Sequence, residues 1–214
     1  MVLLAIDRST DVQSFALAKD GAVFGMTVEG VDARSADWPV RIREFMSGHA
    51  CGFSDLDRIV VGTGPGSFAG IRGALAFAQG LEIGIKAGRA KPENESVVYG
   101  LPSAAALAQE KGLAAVVGDA RRGLFWVVIY DGVETVSDFR LVQKDELASA
   151  VPESATVVTP DGVRIGEALR ELFGSRYVGS STPSAERLAR IAIDRPDILV
   201  REPLPVYLSP AVRT

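Results

Sequence analysis

Histidine and cysteine are nearly missing from this chain of 214 residues, which has one of each, His49 and Cys51. A lone cysteine excludes a disulfide within the chain and agrees with a reducing compartment. A lone histidine excludes most metal and acid–base sites built on imidazole, so we predict no metal site and no metalloprotease chemistry. Residues two positions apart do not meet on a helix, and we predict a structural role for Cys51.

Excess positive charge and long apolar runs are also missing. The chain has 23 Lys and Arg against 27 Asp and Glu, a net charge of −4, whereas a chain that binds nucleic acid unaided is usually basic. No apolar run reaches the roughly 18 residues of a membrane span. Met1–Thr10 lacks a basic start and contains Asp7, so we expect no signal peptide and a cytoplasmic protein.

The apolar residues that are present predict strands and helices in two successive groups. The first group has predicted strands at Val2–Asp7, Val12–Lys19, Ala22–Val28 and Arg58–Gly62, with helices over 35–47 and from Ser67 to about Lys86. The second has strands at Leu113–Asp119, Gly123–Tyr130, Val133–Val142 and Ala155–Thr159, with helices over 102–111, 145–151, 163–173 and 183–193. Asp20-Gly21 and Asp131-Gly132 predict hairpin turns at matching places.

These two groups are most simply explained as one structural unit used twice. Asp7 and Asp119 each end a first strand, and an Asp-Gly pair follows each at nearly the same distance. Chance agreement between common motifs is the alternative. We predict an α/β fold of two lobes, each a mixed sheet flanked by helices. The predicted lobes are 1–98 and 99–214, divided in the polar segment 88–99.

The strand-end carboxylates Asp7 and Asp119 are candidate ligands for a magnesium nucleotide held between the lobes, because magnesium prefers oxygen ligands. The neighbouring groups that could assist are Ser9, Thr10 and Arg121. Alternatively, each aspartate caps the turn after its strand through Asx-type hydrogen bonds, and we favour this role. The Arg8 side chain could pair with Asp7 or occupy the phosphate position.

Residues 64–72, Gly-Pro-Gly-Ser-Phe-Ala-Gly-Ile-Arg, form the most unusual stretch. They are not a P-loop, because no Lys-Ser or Lys-Thr follows. They are not a dinucleotide fingerprint either, because Ala69 stands at the last glycine position. Ser67 is a good helix N-cap, and the turn could bind an anion at the helix N-terminus.

The helix after Ser67 carries small residues every four positions, at Ala76, Gly80, Gly84 and Gly88. A glycine inside a helix costs about 1 kcal/mol relative to alanine, so another interaction should offset this cost. Close approach of a partner helix would do so. Tight packing against the chain's own sheet is the alternative. Apolar residues near the helix start add contact surface: Ile71, Leu75 and Phe77.

Residues 64–72 resemble the segment Gly-Pro-Gly-Ser-Phe-Thr-Gly-Leu-Arg of the bacterial TsaB family, also called YeaZ. Residues 5–10 resemble its opening Ala-Ile-Asp-Thr-Ser-Thr, 119–123 its Asp-Ala-Arg segment and 205–208 its Pro-x-Tyr-Leu, so the likeness extends over nearly the whole chain. Arg8 and Ala69 depart from it, since both are threonine in the family. Residues 33–35 lack its histidine, and 124–126 replace a common Glu-Val-Tyr.

The resemblance implies an actin-like ATPase fold, a duplicated ribonuclease H-like architecture. It also implies a non-catalytic subunit of the complex that adds threonylcarbamoyl to the adenosine beside the tRNA anticodon. In that family a larger paralogue, TsaD, holds the metal and the active site, and a small ATPase, TsaE, joins them. The tRNA would be bound only through the complex. The chain alone would bind no cofactor, ATP or ADP could bind in the complex, and a homodimer would form without the partner.

The resemblance finally implies that the partner interface lies on helices of the first lobe. In this chain the implied contact residues are Ser67, Phe68, Ile71, Arg72, Leu75, Ala76, Gly80 and Gly84. The alternative function is a small actin-like ATPase or a sugar-kinase-like phosphotransferase that uses Asp7 and Asp119. The lack of a clear magnesium constellation counts against this alternative.

Overall fold

A computed structural model describes residues 1–29, 36–88 and 96–208. The strands are β1 (Leu3–Asp7), β2 (Gln13–Lys19), β3 (Ala22–Val28), β4 (Arg58–Gly62), β5 (Val98–Leu101), β6 (Leu113–Arg121), β7 (Leu124–Asp131), β8 (Glu134–Thr135), β9 (Arg140–Gln143), β10 (Thr156–Thr159), β11 (Tyr177–Ser180) and β12 (Val200–Arg201). The α-helices are α1 (Trp38–Gly48), α2 (Phe68–Gly88), α3 (Lys144–Ala150), α4 (Gly162–Phe173) and α5 (Ala185–Asp194). Within these ranges no helix has both the length and the apolarity needed to cross a bilayer.

The chain divides into two compact units, Met1–Ala106 with Ser184–Val206, and Leu107–Pro183 with Tyr207–Thr214. This corrects the predicted division at 98 and 99. Strand β5 pairs with β4 in the first sheet, and α5 packs against β1, β2 and β3 of that sheet. Helix α5 packs on the first sheet because its apolar face, where Leu188 and Ala192 are fully buried, is removed from water by that contact. Residues 89–95 of the predicted boundary lie outside the described residues.

The sheet of the first unit has the order β12-β5-β4-β1-β2-β3. Strands β1, β2 and β3 form an antiparallel meander, and β1, β4 and β5 run parallel. Because side chains alternate across a strand, the two faces differ. Large residues such as Leu4 and Phe15 pack with α1 and α2. The opposite face has alanines such as Ala5 and Ala16, which let α5 approach closely.

The sheet of the second unit repeats this pairing, in the order β11-β10-β6-β7-β8, with β9 also on β7. Strands β6 and β7 are antiparallel, and β10 and β11 continue the sheet in parallel beside β6. The predicted strand over 133–142 is split into β8 and β9. The Ser137 hydroxyl accepts the Ile129 N–H at 2.9 Å, so a side chain replaces backbone pairing there. Two separate mixed sheets with flanking helices confirm the predicted two-lobe, actin-like fold class.

The predicted helix over 102–111 is wrong, because only a 3₁₀ turn forms at Ser103–Leu107. Ser103 is held to Gly64 by two hydrogen bonds: its N–H donates to the Gly64 carbonyl at 2.8 Å, and its hydroxyl accepts the Gly64 N–H at 3.0 Å. Strands β5, β11 and β12 were not predicted. Helix α1 begins at Trp38, and residue 35 of the prediction lies outside the described residues.

The two predicted hairpin turns differ in outcome. Asp20 and Gly21 both have positive φ, 53° and 81°, as a two-residue hairpin turn requires. In the second unit Asp131 still pairs with Glu134, so the turn lies one residue later than predicted, at Gly132 and Val133. A hairpin turn thus forms in both predicted places, at the predicted residues in the first unit and one residue later in the second.

Candidate functional site

Asp7 ends β1 and is fully buried. Its Oδ1 accepts the Ser9 N–H at 2.9 Å and the Ser9 hydroxyl at 2.7 Å. Burial raises the pKa of Asp7, while the Ser103 and Ser9 hydroxyls and the Ser9 N–H offset part of this rise. Its Oδ2 has no hydrogen bond of ordinary geometry within the described residues, although the Ser103 hydroxyl lies nearby. Asp7 is therefore a buried cap of the turn after β1 and not an open magnesium ligand.

The glycines after β4 allow close packing of this turn. A Cβ on Gly62 would lie 1.9 Å from Asp7 Oδ2. On Gly66 it would lie 2.0 Å from the Ser9 carbonyl oxygen, and on Gly70 2.0 Å from that of Arg8. Glycine is thus required at all three positions because backbone or a buried carboxyl occupies the side-chain space.

Ser67 joins the same turn to α2. Its N–H donates to the Ser9 carbonyl at 2.7 Å, and its hydroxyl accepts the Gly70 N–H at 3.2 Å, which confirms the predicted N-cap. The glycine motif is accounted for by packing, and anion binding at this helix N-terminus stays a prediction.

Arg8 does not pair with Asp7. Its guanidinium carbon lies 4.2 Å from the centroid of the Trp38 ring, and burial lowers the pKa of this guanidinium. Its Nε is buried with no hydrogen-bond acceptor among the described residues. Arg8 is consequently stacked on Trp38 of α1 and forms no ion pair with Asp7.

Asp119, near the end of β6, has a different environment. Its Oδ2 lies 2.9 Å from Arg164 Nε, and its carboxyl is only 15% exposed. Arg164 also pairs with Asp161, whose Oδ2 accepts the Asp119 N–H at 2.8 Å. Oδ1 of Asp119 accepts the Arg121 N–H at 2.8 Å, an Asx-type turn. The Asp119 carboxylate is therefore engaged in an ion pair with Arg164 and in the hydrogen bond of its turn.

The Thr10 hydroxyl, the other candidate oxygen near Asp7, is also engaged in local hydrogen bonds. The Thr10 hydroxyl closes its own turn, donating to the Val12 carbonyl at 3.0 Å and accepting the Val12 N–H at 3.2 Å. No three His, Cys, Asp or Glu residues within the described ranges are placed to hold a metal ion. Asp7 and Asp119 belong to different units, and a nucleotide site shared by them stays a prediction.

Cys51 and His49 show no reactive arrangement. Cys51 is 6% exposed, and burial, with the Asp55 charge, raises the pKa of its thiol. Nucleophilic cysteines instead have a lowered pKa and are accessible. His49 packs on the Phe24 and Phe45 rings at centroid distances of 4.4 and 4.8 Å. The structural role predicted for Cys51 agrees with its burial.

The exposed face of α2 is the strongest candidate for a functional surface. We call it the α2 face, defined by Phe68, Ala69, Arg72, Ala76, Gln79, Gly80, Ile83 and Gly84, all of them exposed. Phe68 is 58% exposed and Ile83 is 72% exposed. Arg72, stacked over the Phe68 ring at 4.9 Å, has the only charge within this set. Such a long, mostly uncharged face is unusual for a surface helix.

The glycines of the α2 face border open space. A Cβ added to Gly80, Gly84 or Gly88 would have no atom within 4 Å beyond the neighbouring backbone of its own helix. The alternative that these glycines pack tightly against their own sheet is therefore wrong. Beside them lies a groove of ≈ 290 Å³ lined by Phe53, Ser54, Gly80, Leu81, Gly84, Ile85 and Gly88.

The predicted contact residues divide into two groups. Ser67, Phe68, Arg72, Ala76, Gly80 and Gly84 are exposed. Ile71 and Leu75 are 2% and 5% exposed and belong to the core of the first unit, so their assignment as surface residues is corrected. The sequence reasoning missed Ile83 and the groove residues Phe53 and Ser54. Helical spacing from Ala76 and Gly80 would have found Ile83, whereas the groove depends on tertiary packing.

The repeated sheets, their flanking helices and the capped strand-end aspartates together define the class: a two-unit protein of the actin-like ATPase fold. Residues 35–155, more than half of the chain, match the family model described as TsaD: tRNA N6-adenosine threonylcarbamoyltransferase. The chain belongs to this family, in the group named TsaB or YeaZ. The family identified from the sequence motifs is thus confirmed.

Individual relatives agree with this assignment. An uncharacterized protein of Mycobacterium tuberculosis is 34% identical over 142 residues, 63% of this chain and 62% of its own length. The Escherichia coli tRNA threonylcarbamoyladenosine biosynthesis protein TsaB is 31% identical over 84 residues, 39% of this chain and 36% of its own. The solved structure of YeaZ from Pseudomonas aeruginosa has a TM-score of 0.73 and 26% identity, over 97% of this chain and 99% of that one.

Proposed function

We propose that this chain is a non-catalytic subunit in the biosynthesis of threonylcarbamoyladenosine in tRNA. In this proposal it binds a larger, TsaD-like member of its family through the α2 face. Membership of the TsaB group supports the pathway. The observation that carries the binding role is the open space beside Gly80 and Gly84, because the cost of glycine inside a helix is not offset within the first unit.

The chemistry of the face supports a protein partner. Small residues let another backbone approach closely, and Phe68 and Ile83 can then lose their exposed apolar area. Burial of one such side chain contributes about 1.5–3 kcal/mol, before the cost of association is subtracted. A TsaE-like ATPase, tRNA bound through the complex, ATP or ADP in that complex, and a homodimer in the partner's absence belong to the same proposal.

Ala76→Trp tests the binding role. Ala76 is exposed between Arg72 and Gly80 on the α2 face, so a tryptophan would hold the partner helix away without entering the chain's own core. We expect about tenfold or greater loss of affinity for the large family member, with an unchanged melting temperature. Isothermal titration and thermal unfolding measure these two quantities.

Ala148→Trp is the matched control, because Ala148 is an exposed alanine on α3 of the second unit. It should leave affinity and melting temperature unchanged. Full affinity in Ala76→Trp would remove the α2 face from the interface, and failure of the unaltered chain to bind would remove the proposed function.

The phosphotransferase alternative is tested by ATP turnover of the chain alone. The burial of Asp7 and the Arg164–Asp119 pair count against it. We expect turnover at background level. Robust turnover that disappears in Asp7→Ala would make the chain an enzyme.

A further inference from the structure

Arg8 has a positive charge that no described carboxylate neutralises. The side chain is only partly exposed, and burial lowers the pKa of its guanidinium. Its Nε has no hydrogen-bond acceptor within the described residues. Buried donors in native proteins almost always have a partner, but this Nε is closed off from solvent, so an acceptor from another protein would bind the terminal Nη1 and Nη2 groups.

Rings and a glycine fix the position of this guanidinium. Trp38 lies beneath it at 4.2 Å, and the Trp38 ring is itself held by Phe15, stacked at 6.3 Å, and Phe77, edge-on at 4.8 Å. A Cβ on Gly73 would lie 3.1 Å from Arg8 Nη1. Arg8 therefore packs against α1 and α2 in the free chain.

This position adjoins the α2 face. Gly73 stands three residues before Ala76, and residues at this spacing are neighbours on a helix surface. The α2 face itself has a cation, Arg72, and no acidic residue. Arg8 and Arg72 thus give this side of the first unit positive charge without a compensating carboxylate within the face.

We propose that Arg8 binds a carboxylate, an Asp or Glu side chain, of the protein that docks on the α2 face. This proposal rests on the proposed function and specifies the chemistry of the partner. The planar guanidinium fork matches a carboxylate with two parallel hydrogen bonds. A second copy of this chain would place the same cations on both sides of a symmetric contact, so a different, acidic surface fits better.

Substitution of Arg8 separates binding from folding. Arg8→Met keeps the apolar stem and removes the charge. We expect affinity for the large family member to fall about 30-fold or more, with a weaker dependence of affinity on salt. The melting temperature of the free chain should stay equal or rise, because a half-buried charge without a counterion has been removed. Arg190→Met on α5, an exposed arginine of the same unit, should change none of these quantities.

Arg8→Lys and Arg8→Gln complete the series. If Arg8→Lys binds more tightly than Arg8→Gln and Arg8→Met, the affinity depends on the charge. That result supports the ion pair even where the melting temperatures of the variants differ. Affinity that only follows the melting temperature overturns it. Unchanged affinity in Arg8→Met, while Ala76→Trp still abolishes binding, overturns the Arg8 proposal and leaves the proposed function standing. An effect of Arg8→Met on self-association or on tRNA binding alone overturns it as well, and no binding by the unaltered chain overturns both proposals.

Discussion

Helices α2 and α4 follow corresponding strands of the two units, and both contain glycines, yet for different reasons. In α4, a Cβ on Gly162 would lie 2.4 Å from the Ser180 Cβ, and one on Gly166 would lie 3.0 Å from the Tyr177 hydroxyl. Strand β11 of its own unit approaches α4 at these positions. The glycines of α4 are thus explained by packing within the second unit.

The outward glycines of α2, unlike Gly70 and Gly73 near its start, meet no other element of their own unit. Gly80 and Gly84 border open space, while the opposite side of α2 is filled by core residues such as Ala74 and Ala78. A repeated helix therefore retains its inward packing in both units, whereas only α2 has small residues on its outward side. This difference points to binding as the reason for the outward glycines, because folding does not need them.

The strand-end aspartates give a second contrast. Asp7 is fully buried and bonded to Ser9, whereas Asp119 is partly exposed and paired with Arg164. The backbone places both carboxyls at the end of an equivalent strand. The neighbouring residues then give the two carboxyls different roles: Asp7 caps a turn in the interior, whereas Asp119 forms an ion pair. Topology alone therefore does not define a magnesium site.

Alanine at the two aspartates should separate these roles most clearly. Asp7→Ala leaves the buried Ser9 N–H and hydroxyl without their acceptor, and we expect a loss of about 3 kcal/mol in the free energy of unfolding. Asp119→Ala should lose about 1 kcal/mol, because its partners are nearer to solvent and Arg164 keeps Asp161. Urea unfolding measures both losses. Equal losses would show that the two carboxyls have equivalent structural roles.

The glycine contrast predicts effects of opposite sign. Gly162→Ala should destabilise the chain by about 2 kcal/mol, because the new methyl group meets Ser180. Gly84→Ala should stabilise it by about 1 kcal/mol, because alanine favours the helix and its methyl group enters open space. The same Gly84→Ala variant should bind the large family member more weakly. Stabilisation without any loss of binding would leave the outward glycines unexplained.

The pH dependence of stability sharpens the contrast through Asp7. Burial raises the pKa of Asp7 in the folded chain. The stability that protonated Asp7 contributes is therefore complete below its pKa in the unfolded chain and is lost as pH rises through its pKa in the folded chain. We expect Asp7→Asn to remove this loss of stability with rising pH, measured as unfolding free energy against pH. Asp119→Asn serves as the comparison variant. A loss that persists unchanged in Asp7→Asn would exclude Asp7 as its source.

Glu82 should give the unfolding free energy the opposite dependence on pH. Burial alone would raise the pKa of Glu82, but the Val97 N–H at 2.6 Å and the Lys86 charge lower it overall. Its contribution is therefore present above the unfolded pKa and lost as pH falls through the folded pKa. Glu82→Gln should flatten the acid side of the profile and leave the alkaline side as it is.

Local patterns determined much of this fold from the sequence. The apolar run of β1, the Asp20-Gly21 turn and the Ser67 cap each depend on residues close together in the chain. Such signals are short-range, so they can be recognised without tertiary contacts. The split of the strand over 133–142 and the turn at Ser103 depended on side-chain bonds to distant backbone, and the sequence reasoning missed both.

The sequence by itself determined the duplicated α/β architecture, the family, and the small-residue stripe of α2. Only the tertiary structure decided which way each residue of that helix faces, burying Ile71 and Leu75 and exposing Gly80 and Gly84. It likewise decided that Arg8 stacks on Trp38 and not on Asp7, and that α5 returns to the first sheet. The physical reason is that burial and charge pairing arise between residues far apart in the chain, which no local spacing specifies.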